Sequence, residues 1–139
     1  MKQFSLSIFA LTFLVIATQA RSTEPETTPE LRDQAAKRMV ENHPNFLAIY
    51  TKGLVCNSCG IGLRVHIGKL DGVDKSQLAK SVELDVEKQL VLVAFELDVA
   101  IDVDGVREAI YNAGYDPVHY YLWTEMGGFT QTVYPVSEK

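Results

Sequence analysis

Two cysteines, Cys56 and Cys59, stand three residues apart in Gly53-Leu54-Val55-Cys56-Asn57-Ser58-Cys59. Two thiolates on one turn can hold a soft metal ion, exchange disulfides, or close into a disulfide. As a staple, a Cys-x-x-Cys bridge is poor. It closes a very small loop and constrains the unfolded chain little. That weakness points toward chemistry at the pair.

The segments around the pair decide what positions it. Phe46-Leu47-Ala48-Ile49-Tyr50 reads as a short apolar strand leading into the cysteine loop. After the loop, Leu63, Ile67 and Leu70 recur with helical spacing, while Ile61, Leu63, Val65 and Ile67 also alternate as a strand would. Helix is preferred, because a strand here leaves no cover for the sheet. Residues 80–85 alternate, 86–88 turn, and 89–95 are strongly apolar, which predicts a hairpin. A helix is expected over 102–113, with Val103, Val106, Ile110 and Ala113 on its face and Gly114 as C-cap. A last strand is expected over 117–123. The order β-α-β-β-α-β predicts an α+β, ferredoxin-like βαββαβ sandwich. A strand followed by a helix puts the thiols on the connecting loop and first helical turn. Backbone N–H groups and the helix dipole favour thiolate there.

The N-terminal part reads differently. Lys2, an apolar run over 8–17 and Thr18-Gln19-Ala20 fit a secretory signal peptide over 1–20. Residues 21–45 read as a flexible leader and a short helix. Thr28 would be the N-cap, Pro29 the first helical residue, and Leu31, Ala35 and Met39 a modest apolar stripe. The domain proper then covers 46–123, and 124–139 forms an extended or frayed C-terminal tail. Export implies a secreted or periplasmic location, and no later stretch is long and apolar enough to span a membrane. The expectation is therefore not an integral membrane protein after signal cleavage. Acidic residues number 18 against 13 basic ones, for a formal net charge of −5. With no basic stripe, nucleic acid is not an expected partner.

The loop resembles the Gly-Met-x-Cys-x-x-Cys loop of heavy-metal-associated domains, a family that includes copper chaperones and the periplasmic mercury-binding protein. The similarity extends to Leu63, Ile67 and Leu70, to Gly72-Val73, and to Ala113-Gly114-Tyr115-Asp116. It covers about residues 46–122. The resemblance implies that Cys56 and Cys59 are metal ligands and that Tyr115 approaches the loop from the other side of the fold. Leu54 stands where the family has an inward-packing Met, and Leu can replace it in volume. The first domain helix is unusually rich in Gly and apolar residues, so Ile61 and Val65 are expected to face a partner or the N-terminal helix.

The expected function is that of an exported protein that binds one soft ion through the Cys-x-x-Cys pair and transfers it to a metal transporter or another thiol protein. Two sulfurs suit Cu(I) or Hg(II); Zn(II) would need further donors. Two alternatives stay open: a thiol–disulfide redox protein, and a non-catalytic interaction module with an oxidised pair. No nucleophile–base–acid set, phosphate-cradling loop or His-Glu-x-x-His is visible, so an enzyme is not expected. His43, His66 and His119 read as packing, linker or surface residues, His119 as a solvent-exposed one. Met126 is a weak candidate for an auxiliary thioether ligand. Asp102 and Asp104 read as helix N-terminal residues, and with Asp98 they lack a calcium-loop pattern. Tyr120-Tyr121-Leu122-Trp123 reads as a strand with core and edge aromatics.

Overall fold

The structure, a computed structural model, describes residues 27–56, 58, 60–79 and 81–135. The signal-peptide reading of 1–20 and the first part of the leader lie outside the described residues. The elements run α1 (Pro29–Val40), β1 (Phe46–Lys52), α2 (Gly60–Ile67), β2 (Val82–Asp85), β3 (Leu90–Ala94), α3 (Val103–Asn112), β4 (Asp116–Thr124) and β5 (Gly128–Val133).

The strands form one antiparallel-paired sheet in the order β2-β3-β1-β4-β5. The first four strands with α2 and α3 are the split βαβ arrangement expected from the sequence: β3 lies between β1 and β2, and β4 on β1's other side. The stretch that could be read as either helix or strand is the helix α2.

One face of the sheet is covered by α2 and α3. Leu47, Ile49, Val91 and Val93 pack there with Leu63, Ile67, Val106 and Ile110. The residues of opposite parity, Phe46, Ala48, Leu90, Leu92 and Ala94, are buried as well. Their cover is α1. Ala35, Ala36 and Val40 pack on this second face with Tyr121, and the alanines at 35, 36, 48 and 94 leave little side-chain bulk between helix and sheet.

Thr28 caps α1, its hydroxyl accepting from Leu31 N at 3.4 Å, and Pro29 opens the helix. The buried stripe, however, is Arg32, Ala35, Ala36 and Val40, rotated from the expected Leu31, Ala35, Met39; Leu31 is exposed. Arg32 tolerates this because its ends are satisfied. Its guanidinium lies 3.6 Å from the centroid of the Tyr50 ring and donates to Lys88 O and Thr27 O. The Thr27 hydroxyl donates to Glu87 O at 2.6 Å. These contacts fix the start of α1 at the β2–β3 turn, the end of the sheet where β1 runs out toward Cys56.

The segment 124–139, expected as an extended or frayed tail, contributes a fifth strand. Gly128–Val133 pairs with β4 from Thr124↔Gly128 to His119↔Val133, and Phe129 stacks on Tyr121 with ring centroids 5.5 Å apart. Tyr134 is buried in the core under α3, its hydroxyl donating to Val103 O at 3.2 Å. Among the described residues, no helix is long and apolar enough to cross a membrane.

Candidate metal centre

The cysteine loop is built from its buried residues outward. β1 ends at Lys52, and Gly53 turns the chain with φ +89, a conformation that favours glycine. Leu54 then drops into the core between sheet and helices, with no exposed surface. Val55 is 65% exposed and Cys56 partly so. Leu54 thus packs inward beneath the loop, as its resemblance to the Met of heavy-metal-associated loops implied.

Beyond the loop, Gly60 begins α2 against β2. A Cβ at Gly60 would overlap Leu84 Cδ1, so a side chain there requires Leu84 to change rotamer or the start of α2 to shift. The Ile61 N–H donates to Ser58 O at 3.3 Å, which extends the helical turn back into the loop. No acidic residue lies in the first turn of α2. The N–H groups there present partial positive charge to the loop, and no carboxylate in that turn opposes it.

Cys56 is disulfide-bonded, and the chain's other cysteine is Cys59. The Ser58 hydroxyl donates to Cys56 Sγ at 3.5 Å. Cys59 lies outside the described residues, so the expected placing of both thiols on the loop and first turn is observed for Cys56. Tyr115, expected opposite the loop, packs at the core margin, and its Cδ1 lies 3.8 Å from where a Gly53 Cβ would be. That is the approach the resemblance implied.

Other candidates lie apart from the loop. His43 stacks on Phe46 at 4.5 Å. His66 lies in the last turn of α2. Met126 is fully exposed in the β4–β5 turn, at the opposite end of the sheet, and is not placed to add a thioether. Asp102 caps α3, its Oδ1 accepting from Gly105 N at 2.9 Å, as expected. Asp98 is exposed in the turn before it. No group of three or more His, Cys, Asp or Glu residues among the described residues is arranged to hold a metal ion.

Two expectations need correction. Ile61 and Val65 do not meet the N-terminal helix. They are 65% and 50% exposed, while α1 is on the opposite face of the sheet. His119 is not a solvent-exposed residue. It sits half-buried beneath α1, its Nε2 2.6 Å from the Tyr121 hydroxyl, which donates to Asp33 Oδ1 at 2.6 Å. Burial, reinforced by Arg32 and opposed by Asp33, holds its pKa below the usual imidazole range. The sequence signal for this second layer was the run Phe46-Leu47-Ala48-Ile49. Apolar residues of both parities mean a strand covered on both faces.

No family model and no curated protein sequence matches the chain. Among solved structures, it is similar to one described as the CopZ metallochaperone, at 25% identity and a TM-score of 0.44, over 52% of this chain and 98% of that one. It is also similar to the yeast copper transporter domain Ccc2a, solved in apo and Cu(I)-loaded states. There the identity is 19% and the TM-score 0.41, over 52% of this chain and 90% of that one. The ferredoxin-like βαββαβ arrangement expected from the sequence is the one observed. Its second-face helix and fifth strand are additions to the βαββαβ unit.

Proposed function

We propose that this chain is an exported carrier of a single soft metal ion, Cu(I) or Hg(II), bound by Cys56 and Cys59. The observation that carries the reading is the loop itself. A partly exposed Cys56 stands beside a carboxylate-free helix start and is held from below by a buried Leu54. Two sulfurs at the surface of a rigid fold suit an ion that must be released as well as bound.

The disulfide must first be reduced by an external dithiol, which delivers two electrons and two protons to the sulfur pair. The incoming ion then displaces the thiol protons, so affinity rises with pH until both thiols are ionised. Transfer proceeds by ligand exchange. A thiolate of the acceptor binds the ion before Cys56 or Cys59 lets go, and no free ion is formed. Val55, Ile61 and Val65 form exposed apolar surface on the loop and α2, and a transporter domain or thiol protein could dock on it.

The test is an anaerobic titration of the reduced protein with Cu(I) against a competing chelator, read by native mass. A tight one-to-one complex, lost in the Cys56→Ser/Cys59→Ser double variant, supports the carrier. Full affinity in that variant sinks it. The disulfide at Cys56 favours one second reading, a thiol–disulfide exchanger. Catalysed reduction of insulin disulfides, without tight Cu(I) binding, would select that reading instead.

A further inference from the structure

β5 closes one side of the sheet, and among the described residues nothing pairs with its outer edge. The ladder to β4 fixes which groups that edge presents. The Tyr134 N–H donates to Val118 O at 3.1 Å, so these two residues face each other as a hydrogen-bonded pair. Hydrogen-bonded and open pairs alternate along an antiparallel ladder. Thr132, Thr130 and Gly128 therefore bond toward β4, opposite Tyr120, Leu122 and Thr124. The N–H and C=O groups of Phe129, Gln131 and Val133 point the other way, to the open edge.

Natural sheets blunt such an edge with a charge, a proline, a bulge or a covering segment. Gly128–Val133 carries no charged residue and no proline, and its register with β4 runs without a shift. The open run has defined limits. At one end Gly128, with φ +65, turns the chain out of the β4–β5 connection. At the other, Pro135 has no N–H to offer, and its carbonyl already accepts from Arg107 Nη2 at 2.8 Å. Between these limits stand three outward N–H groups and three outward C=O groups.

The side chains select the occupant. Phe129-Thr130-Gln131-Thr132-Val133 reads apolar, Thr, Gln, Thr, apolar from either end, and a two-fold axis demands that kind of self-complementarity. We propose that β5 pairs antiparallel with β5 of a second copy of this chain, on a two-fold axis through Gln131. Gln131 then meets its own copy, and the two side-chain amides can bond each other. Phe129 of one copy meets Val133 of the other, on the face where Phe129 stacks on Tyr121 and where Val133 is 67% exposed. Thr130 meets Thr132 on the opposite face, a cross-strand pair that suits a sheet. The outward groups of both copies close six backbone hydrogen bonds, and no charged side chain of β5 meets its like. The contact is small, of the weak and transient class. It is independent of the carrier reading, because none of its residues belongs to the cysteine loop.

The test uses the mature chain, oxidised and metal-free, so that no ion bridges two copies. Sedimentation equilibrium from micromolar to millimolar protein should show a monomer–dimer equilibrium. Over the same range, amide exchange should slow at Phe129, Gln131 and Val133. Thr130 and Thr132 should not change, since their N–H groups are already bonded to β4. Gln131 is exposed, so Gln131→Lys and Gln131→Glu should each keep the wild-type thermal midpoint in dilute solution. Each should weaken dimerisation by about fivefold or more, because like charges then face each other at the axis. An equimolar mixture of the two variants should regain it as a heterodimer. A wild-type chain that stays monomeric at millimolar concentration overturns the proposal; if its edge amides are protected all the same, another segment of its own chain covers the edge. A dimer unchanged by both substitutions overturns it as well, and so does a mixture that associates no better than either variant alone.

Discussion

The Tyr121 hydroxyl donates to the Asp33 carboxylate at 2.6 Å, joining β4 to α1 across 88 positions of chain. Tyr121 has no exposed surface, and the same hydroxyl lies 2.6 Å from His119 Nε2. Because the phenol has one proton and gives it to Asp33, His119 must donate through Nε2–H. Burial and the Asp33 bond push the Tyr121 pKa far above the ordinary phenol value, so the hydroxyl stays protonated. Tyr121→Phe should therefore lower stability by about 1–3 kcal/mol, the usual effect of losing a hydrogen bond to a charged group. A urea midpoint that drops without a change in slope would show it.

Arg32 ties the other side of the same helix. Arg32→Ala removes the stacking on Tyr50 and leaves Lys88 O and Thr27 O without this donor. A loss of about 1–3 kcal/mol is expected. Removing 27–41 altogether uncovers Ala48, Leu92, Ala94 and Tyr121. Such a truncation should bind a hydrophobic dye and associate, as exposed apolar patches do; sedimentation velocity would report it.

Stability should depend on pH through His119. Its pKa is depressed in the folded state, first by burial and then by Arg32, while Asp33 opposes. Around it stand Arg32 and Asp33 from α1, Tyr50 from β1 and Tyr121 from β4. A depressed imidazole binds its proton more readily when unfolded. Its contribution is full above the ordinary value of about 6.5 and is lost as pH falls through the folded-state value. Thermal midpoints should decline from pH 7.5 to 5.5, and His119→Gln should flatten that decline.

Gly60 sets how closely α2 can approach β2. Gly60→Ala improves helix propensity yet drives a methyl into Leu84. The clash should win, with a net loss of about 1–3 kcal/mol. Leu84→Ala in the same chain should recover part of it, and a double-mutant cycle would measure the coupling.

How much of this was legible in the residues differs by layer. The βαββαβ order could be read because each element carries its own period and its own punctuation, as Gly114 and Asp102 show at the ends of α3. The rotation of α1 could not. A stripe count ranks Leu31 above Arg32, and only the Tyr50 ring and two carbonyls make the arginine the better buried residue. β5 was hidden for a related reason. Gly128–Val133 is polar at Thr130, Gln131 and Thr132 and exposed over its last three residues, and its apolar contribution rests on Phe129 meeting Tyr121. At the cysteine loop, the residue types pointed to Cys56 and Cys59 directly.

β1 is flanked by β3 and β4 and covered by helices on both faces. It is the strand from which Gly53 departs, so the loop hangs from the stiffest part of the sheet. Rearrangement around an incoming ligand is then confined to the torsions of a few loop residues. On the proposed carrier reading, the scaffold behind them stays still, and little reorganisation energy separates the two ends of an exchange.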